Sequence, residues 1–220
     1  MIKTIAKGLG NLLSEVVFVG GSVAELYASN VEAIDEIRMT EDVDVVVEID
    51  SLHTLHSLED KLRALGFKND FSEGAPICRW IFNDVKLDVM PNESSVLGFS
   101  NRWYTPGIKN KIESKVDNTT NIYIFNVVYY LASKFEAIKS RGATDIRLSH
   151  DFEDVVFIFD NCDFIESELE KSTPDLILYF KDYLNTLAND RCFDEAVACS
   201  LPFGFEDRAK EIIERIKNII

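Results

Sequence analysis

The feature that most restricts this chain is the stretch from Val16 to Asp44, where an apolar run breaks on a glycine pair and an acidic strand follows. Val16 to Val19 is β-branched and aromatic and is bounded by Gly20-Gly21, so it reads as a short buried strand that ends abruptly. Ser22 comes next, and Glu25 stands three residues further on, the spacing of a capping box where a helix begins. Strand, tight turn and helix in that order leave backbone N–H groups free at the helix start, and the glycines permit close approach. Gly20, Gly21 and Ser22 therefore outline a concavity suited to a phosphate.

Arg38-Met39-Thr40-Glu41 leads into a second strand, Asp42-Val43-Asp44-Val45-Val46-Val47-Glu48-Ile49. Side chains alternate between the faces of a strand, so Asp42 and Asp44 share one face, roughly 6–7 Å apart. Two carboxylates so close repel each other, and burying unpaired charge is costly. A hard divalent cation relieves the repulsion. Carboxylate oxygens suit Mg2+ or Mn2+ shared with the phosphates of a substrate. Val85 to Met90 is a further alternating strand, entered from Ile77 to Phe82 through an Asn83-Asp84 turn. If it lies beside the Asp42/Asp44 strand, Asp88 adds a third acid, and the set is that of two-metal nucleotidyl transfer on a nucleoside triphosphate (NTP).

With 220 residues, 46% of them hydrophobic, the chain can bury a substantial core. It contains no apolar run of about eighteen residues and no signal-peptide pattern at its start, so a soluble cytoplasmic protein is expected. The four cysteines, Cys78, Cys162, Cys192 and Cys199, form no CxxC pair and read as reduced thiols. A net charge of −15 argues against binding a long nucleic acid, which needs a basic face. It leaves room for a short RNA end, a basic protein or a cationic small molecule.

Taken along the chain, Ile2 to Leu13 has the spacing of one helix face, and Ser51 to Leu65 is an amphipathic helix closed by Gly66. His53 and His56 share a face of that helix, but no third ligand suggests a metal site. Phe67 to Phe71 and Ile77 to Met90 supply strands. The irregular stretch from Asn92 to Asn121 holds Arg102, Trp103 and Tyr104, which either stack a base and touch a phosphate or plug the sheet edge. After a closing strand at Ile122 to Phe125, helices are expected at Val127–Arg141 (capped by Asn126, ended by Gly142), His150–Asp160, Pro174–Asn189, Cys192–Cys199 and Glu206–Ile220. Two domains follow, residues 1–121 and 122–220. The acids between Asp151 and Glu170 are expected to be mostly a solvated helical surface.

A second constellation lies in the helical part. Lys134 and Arg141 lie at helical spacing, and Asp151 and Asp154 share a face of the next helix. The four can bind a triphosphate and align a ligand or metal, or form an interhelical salt bridge.

The GGS turn, the DVD strand and the later LDV strand resemble the polymerase-beta superfamily of nucleotidyltransferases. RMTEDVDVVV, with Arg38 and Thr40 ahead of the acids, together with LASKFEAIKSRG…SHDFEDV, is similar to the AbiEii/AbiGii toxin-like branch. The nineteen residues between Ser22 and Asp42 exceed the compact form of that signature and imply a longer first helix or an extra loop. The resemblance spans approximately Val16 to Asp160. It implies an α/β (α+β) nucleotidyltransferase fold, a mixed β-sheet with flanking helices followed by a C-terminal α-helical bundle. It implies transfer of a nucleotide from an NTP to an acceptor, such as a tRNA 3′ end or a protein, possession of a cognate antitoxin, and metal held by Asp42, Asp44 and Asp88. Phosphate binding would fall to Gly21, Ser22, Lys134 and Arg141. A small-molecule nucleotidyltransferase and a non-catalytic nucleotide-binding module on the same fold are the alternatives.

Overall fold

A computed structural model describes residues 1–29, 39–141, 145–202 and 204–220. Arg38, Gly142 and most of the longer helix or loop expected ahead of Asp42 lie outside the described residues. The chain divides into two compact units, Met1–Leu26 with Met39–Tyr129, and Tyr27–Arg38 with Tyr130–Ile220.

The first unit is built on a seven-stranded mixed sheet in the order β3-β4-β5-β2-β1-β7-β6. Its strands are β1 (Val16–Val19), β2 (Asp42–Val47), β3 (Lys68–Asn69), β4 (Arg79–Phe82), β5 (Val85–Pro91), β6 (Lys111–Lys115) and β7 (Asn121–Phe125). All four residues of β1 are buried, which is why an unbroken apolar run rather than an alternating one marks it as a central strand. β2 pairs antiparallel with β1 and parallel with β5, while β1 is parallel to β7. The boundary expected between residues 121 and 122 falls inside β7, one residue after its start, and the sheet holds that strand in the first unit. That unit runs on to Tyr129.

Local chemistry accounts for most of these elements. Helix α1 (Ile2–Leu9) is shorter than the expected Ile2–Leu13, because Gly10 adopts φ 52° and the chain continues as a 3₁₀ turn over Gly10–Glu15. Helix α2 (Leu52–Ala64) begins where Ser51 accepts the Thr54 N–H at 3.2 Å and ends before Gly66, at φ 93°. β4 and β5 form a two-residue hairpin in which Asn83 and Asp84 take φ 48° and 61°, values these two residue types tolerate and this tight turn requires. The short helices α3 (Ser94–Leu97) and α4 (Tyr104–Lys109) occupy the stretch that was irregular in sequence. Trp103 is 4% exposed there. Its ring packs edge-on to Tyr129 at 6.3 Å, and the Arg102 guanidinium lies over it at 4.7 Å. Tyr104 donates to the Met90 sulfur and sits against Phe125. Packing therefore accounts for both rings.

Helix α5 (Val127–Ser140) carries the chain from the first unit into the second, with Asn126 accepting the Val128 N–H at its start. The second unit continues with α6 (His150–Asn161), α7 (Ile165–Glu170), α8 (Pro174–Ala188), α9 (Phe193–Cys199) and α10 (Glu206–Ile219). Ser149 caps α6, and Thr173 caps α8 with Pro174 behind it. Its core includes Phe135 against Phe180 and Tyr183, and Phe152 against Phe193. Each of these four buried phenylalanines is worth about 1.5–3 kcal/mol of apolar transfer.

The acids from Asp151 to Glu170 are not mainly a solvated surface. Asp151 and Asp154 are buried, and two others form a socket for the last helix. Arg215 forks onto Glu166 at 2.6 and 2.7 Å and donates to the carbonyls of Phe159 and Cys162 at 2.6 and 2.8 Å, while Arg208 pairs with Asp160. Arginine satisfies carboxylates and helix-end carbonyls together because its donors form a planar fork.

Candidate active site

The site in the first unit is assembled by strand register. β2 and β5 run parallel with Asp44 opposite Asp88 and Asp42 opposite Lys86, so all three aspartates belong to one face of the sheet. The Asn83-Asp84 hairpin sets Arg79 opposite Asp88 on the other side of β5. Arg79, Asp88 and Asp44 thus form a row across three adjacent strands. The Arg79 Nε donates to Asp88 Oδ1 at 2.8 Å, and Nη2 donates to Asp88 Oδ2 at 2.7 Å. Nη2 also reaches past β5 to Asp42 Oδ2 at 2.7 Å. The side chains of Arg79, Asp88 and Asp42 are 15, 10 and 32% exposed.

Asp44 meets the glycine turn directly. A Cβ on Gly20 would stand 2.0 Å from Asp44 Oδ2, and Gly20 has φ 74°. Only a residue without a side chain fits, on both counts. The turn itself departs from expectation. Gly21–Tyr27 is a 3₁₀ helix, and the Ser22 hydroxyl makes no capping bond; its Oγ is buried with no hydrogen-bond partner. The Ser22/Glu25 spacing therefore does not yield the capping box expected of it, since a 3₁₀ turn carries its donors at a different pitch.

The electrostatics follow from the row. Its hydrogen bonds to Asp88 hold the Arg79 guanidinium above the ordinary arginine pKa against the opposing effect of burial, so it stays charged. Cys78, next to Arg79, is buried, and burial together with Asp88 and Asp44 pushes its thiol up to about 12. Arg79 and Cys78 escaped the sequence reading. The signal for Arg79 was present, because counting back from the Asn83-Asp84 turn pairs it with Asp88.

As they stand, these residues do not fit a divalent ion. Among the described residues no three His, Cys, Asp or Glu side chains come together as a metal site. The charge of two of the three aspartates is already met by a guanidinium. His53 and His56 are both exposed on α2.

The second unit gathers the other four expected residues. The Lys134 ammonium donates to Asp154 at 2.6 Å and to Asp151 at 3.0 Å, and Arg141 donates to Asp151 at 2.6 Å. Lys134, Asp151 and Asp154 are 6, 5 and 3% exposed. Burial works against the Lys134 charge, but Asp154 and Asp151 outweigh it and hold its pKa above the ordinary lysine value. Two cations and two carboxylates cancel, which leaves no surplus positive charge for a phosphate.

All four cysteines are free thiols, and no helix among the described residues is long and apolar enough to cross a membrane. No protein-family model matches this sequence, and no curated protein matches it. Among solved structures, the chain is similar to the crystal structure of an antigenic nucleotidyltransferase-like protein from Paracoccidioides brasiliensis. The TM-score is 0.56 at 17% identity, over 91% of this chain and 93% of the other. That likeness, the seven-stranded mixed sheet and the helices that follow it identify the fold as nucleotidyltransferase-like.

Proposed function

We propose that this chain is a nucleotidyltransferase that moves a nucleotidyl group from an NTP to an acceptor hydroxyl, with Asp42, Asp44 and Asp88 as its catalytic side chains. The observation that carries this reading is the Asp44 carboxylate seated on Gly20, because it joins the acid row to the glycine turn. In this reading the Gly20-Gly21 backbone and Ser22 hold the β- and γ-phosphates. The Ser22 hydroxyl, which lacks a partner, donates to a phosphate oxygen.

The acceptor oxygen attacks the α-phosphorus in line, and pyrophosphate leaves; positioning and charge neutralisation supply most of the catalysis. Both oxygens of Asp88 already accept from Arg79, which leaves neither facing the acceptor hydroxyl alone. Asp42, held through Oδ2 alone and a third exposed, is the carboxylate that takes the acceptor's proton. A divalent ion, Mg2+ or Mn2+, belongs to this reading only where Arg79 has let go of Asp42 and Asp88. Lys134, Arg141, Asp151 and Asp154 support the second unit rather than hold phosphate. The finer form of the proposal is the AbiEii/AbiGii toxin-like branch, with a tRNA 3′ end or a protein as acceptor and a cognate antitoxin as partner.

The test is incubation with each α-labelled NTP and a total cell extract in Mg2+ or Mn2+, comparing the wild type with Asp44→Asn. Label should pass to a macromolecule and fall by about 100-fold or more in the variant. Equal labelling by a folded Asp44→Asn protein would refute the assignment. The Arg79 contacts favour one second reading, a nucleotide-binding module without turnover; it predicts NTP binding with no pyrophosphate release.

A further inference from the structure

We infer that Glu136 on α5 and the Tyr179 and Tyr183 rings on α8 form a binding site for a guanidinium group. The inference is independent of the nucleotidyl-transfer reading, and all three residues belong to the second unit.

An idle acceptor is the starting observation. Oε1 of Glu136 is buried and accepts no hydrogen bond, although the residue as a whole is only half-buried. A carboxylate oxygen shut away from water without a donor is costly, and folded chains keep few of them. Lys139 stands one turn further along α5, but it is exposed and does not supply the donor. Two turns and more away in the same unit, the buried acids Asp151 and Asp154 both accept from the Lys134 ammonium. Glu136 has no such arrangement at Oε1.

The neighbours of Glu136 define the donor that would fit. Tyr179 and Tyr183 are one turn apart on α8 and half-buried, beside the stripe of Leu176, Phe180, Leu184 and Leu187 that this helix turns to the core. Their rings lie 6.1 Å apart and within 16° of parallel. Phe135, the residue before Glu136, stacks on Tyr183 at 5.0 Å and 25°, which sets this part of α5 against the tyrosines. Burial, and after it the Glu136 charge, push the Tyr183 hydroxyl up to about 12, so the carboxylate acts on that ring.

A carboxylate beside near-parallel aromatic rings selects a cation that is flat and carries several N–H donors. Guanidinium meets both demands, since its edge donates to the carboxylate while its face rests on a ring. An ammonium is a compact, strongly hydrated charge with no face to stack, and fits less well. A metal ion would lack further ligands, because among the described residues no three His, Cys, Asp or Glu side chains gather. The net charge of −15 favours the approach of a cationic group from any source.

The experiment uses the full chain with isotope-labelled tyrosine, the Tyr179 and Tyr183 ring resonances being assigned by their loss in Tyr179→Phe and Tyr183→Phe. Ethylguanidinium and the peptide Gly-Arg-Gly are titrated against the wild type and Glu136→Gln, with ethylammonium and Gly-Lys-Gly as matched probes. Both guanidinium probes should shift the two resonances saturably, and should bind about tenfold more weakly to Glu136→Gln. Each ammonium probe should bind about threefold more weakly than its guanidinium counterpart. Tighter binding of Gly-Arg-Gly than of ethylguanidinium identifies a peptide arginine as the source, and equal binding a free guanidinium compound; either result supports the inference. Equal binding by folded Glu136→Gln, ammonium binding as tight as guanidinium binding, or no saturable shift with either guanidinium probe overturns it. Thermal melts without any probe supply a second measurement. Glu136→Gln should melt no lower than the wild type, because the chain gives the buried oxygen no donor; a clear drop would mean that the chain itself holds the carboxylate, and also overturns the inference.

Discussion

The two charged clusters are made of the same parts and come to opposite states. In the first unit one arginine bridges two aspartates of adjacent strands, Asp42 and Asp88, at a partly exposed position. In the second unit a lysine and an arginine face two aspartates, the charges cancel, and three of the four side chains are almost wholly buried. Access distinguishes the two clusters: Asp42 of the first is about a third exposed, whereas the ammonium and both carboxylates of the second are closed off.

The strongest challenge to that contrast is Lys134→Met. It removes the ammonium from which Asp151 and Asp154 both accept while the two carboxylates stay buried, and should cost about 3–5 kcal/mol in urea unfolding. A loss below about 1 kcal/mol would mean that the cluster is not a closed network, and would restore Lys134 as a phosphate ligand. Gly20→Ala comes next. Strain at φ 74° and the collision with Asp44 should together remove about 1–3 kcal/mol and displace the carboxylate, so that NTP incorporation falls with stability. Unchanged incorporation would separate Asp44 from the turn.

Taken per pH unit, the smallest effect concerns alkali. The Cys78 thiol ionises near 12 in the folded protein against an ordinary 9, so above pH 9 the unfolded chain sheds a proton that the folded chain keeps. Stability should therefore fall between pH 9 and pH 12, by at most about 1.4 kcal/mol per pH unit from this group. Cys78→Ala should make that fall shallower, as read from urea midpoints across the range. An unaltered slope would show that the folded protein does not hold the Cys78 thiol protonated above its ordinary range.

Much of the acid row was legible, because strand alternation puts Asp42 and Asp44 on one face whatever surrounds them. Asp88 was legible as a strand residue, but not as the neighbour of Asp44. Arg79 sat in the pattern Cys78-Arg79-Trp80-Ile81-Phe82 as one polar position among apolar ones, and only the tight turn after it fixes its partner. The glycine turn was legible as a break, whereas its 3₁₀ pitch and the idle Ser22 hydroxyl were not. Lys134, Asp151 and Asp154 were grouped correctly by spacing. Whether they faced a ligand or each other depends on how α5 and α6 pack, which spacing along one helix does not contain.

The sequence by itself determined the elements whose causes lie within a few residues: the buried β1 run, the Asn83-Asp84 hairpin, and the Ser51, Ser149 and Thr173 caps. These depend on local sterics and on hydrogen bonds to near neighbours. Tertiary structure alone decided that β5 lies beside β2, that Arg79 reaches over one strand to Asp42, and that Lys134 spends its charge on two aspartates. A parallel pair needs a long crossover, and no residue near Asp42 encodes which later strand will arrive beside it. Its partner is fixed only when the whole sheet closes its core.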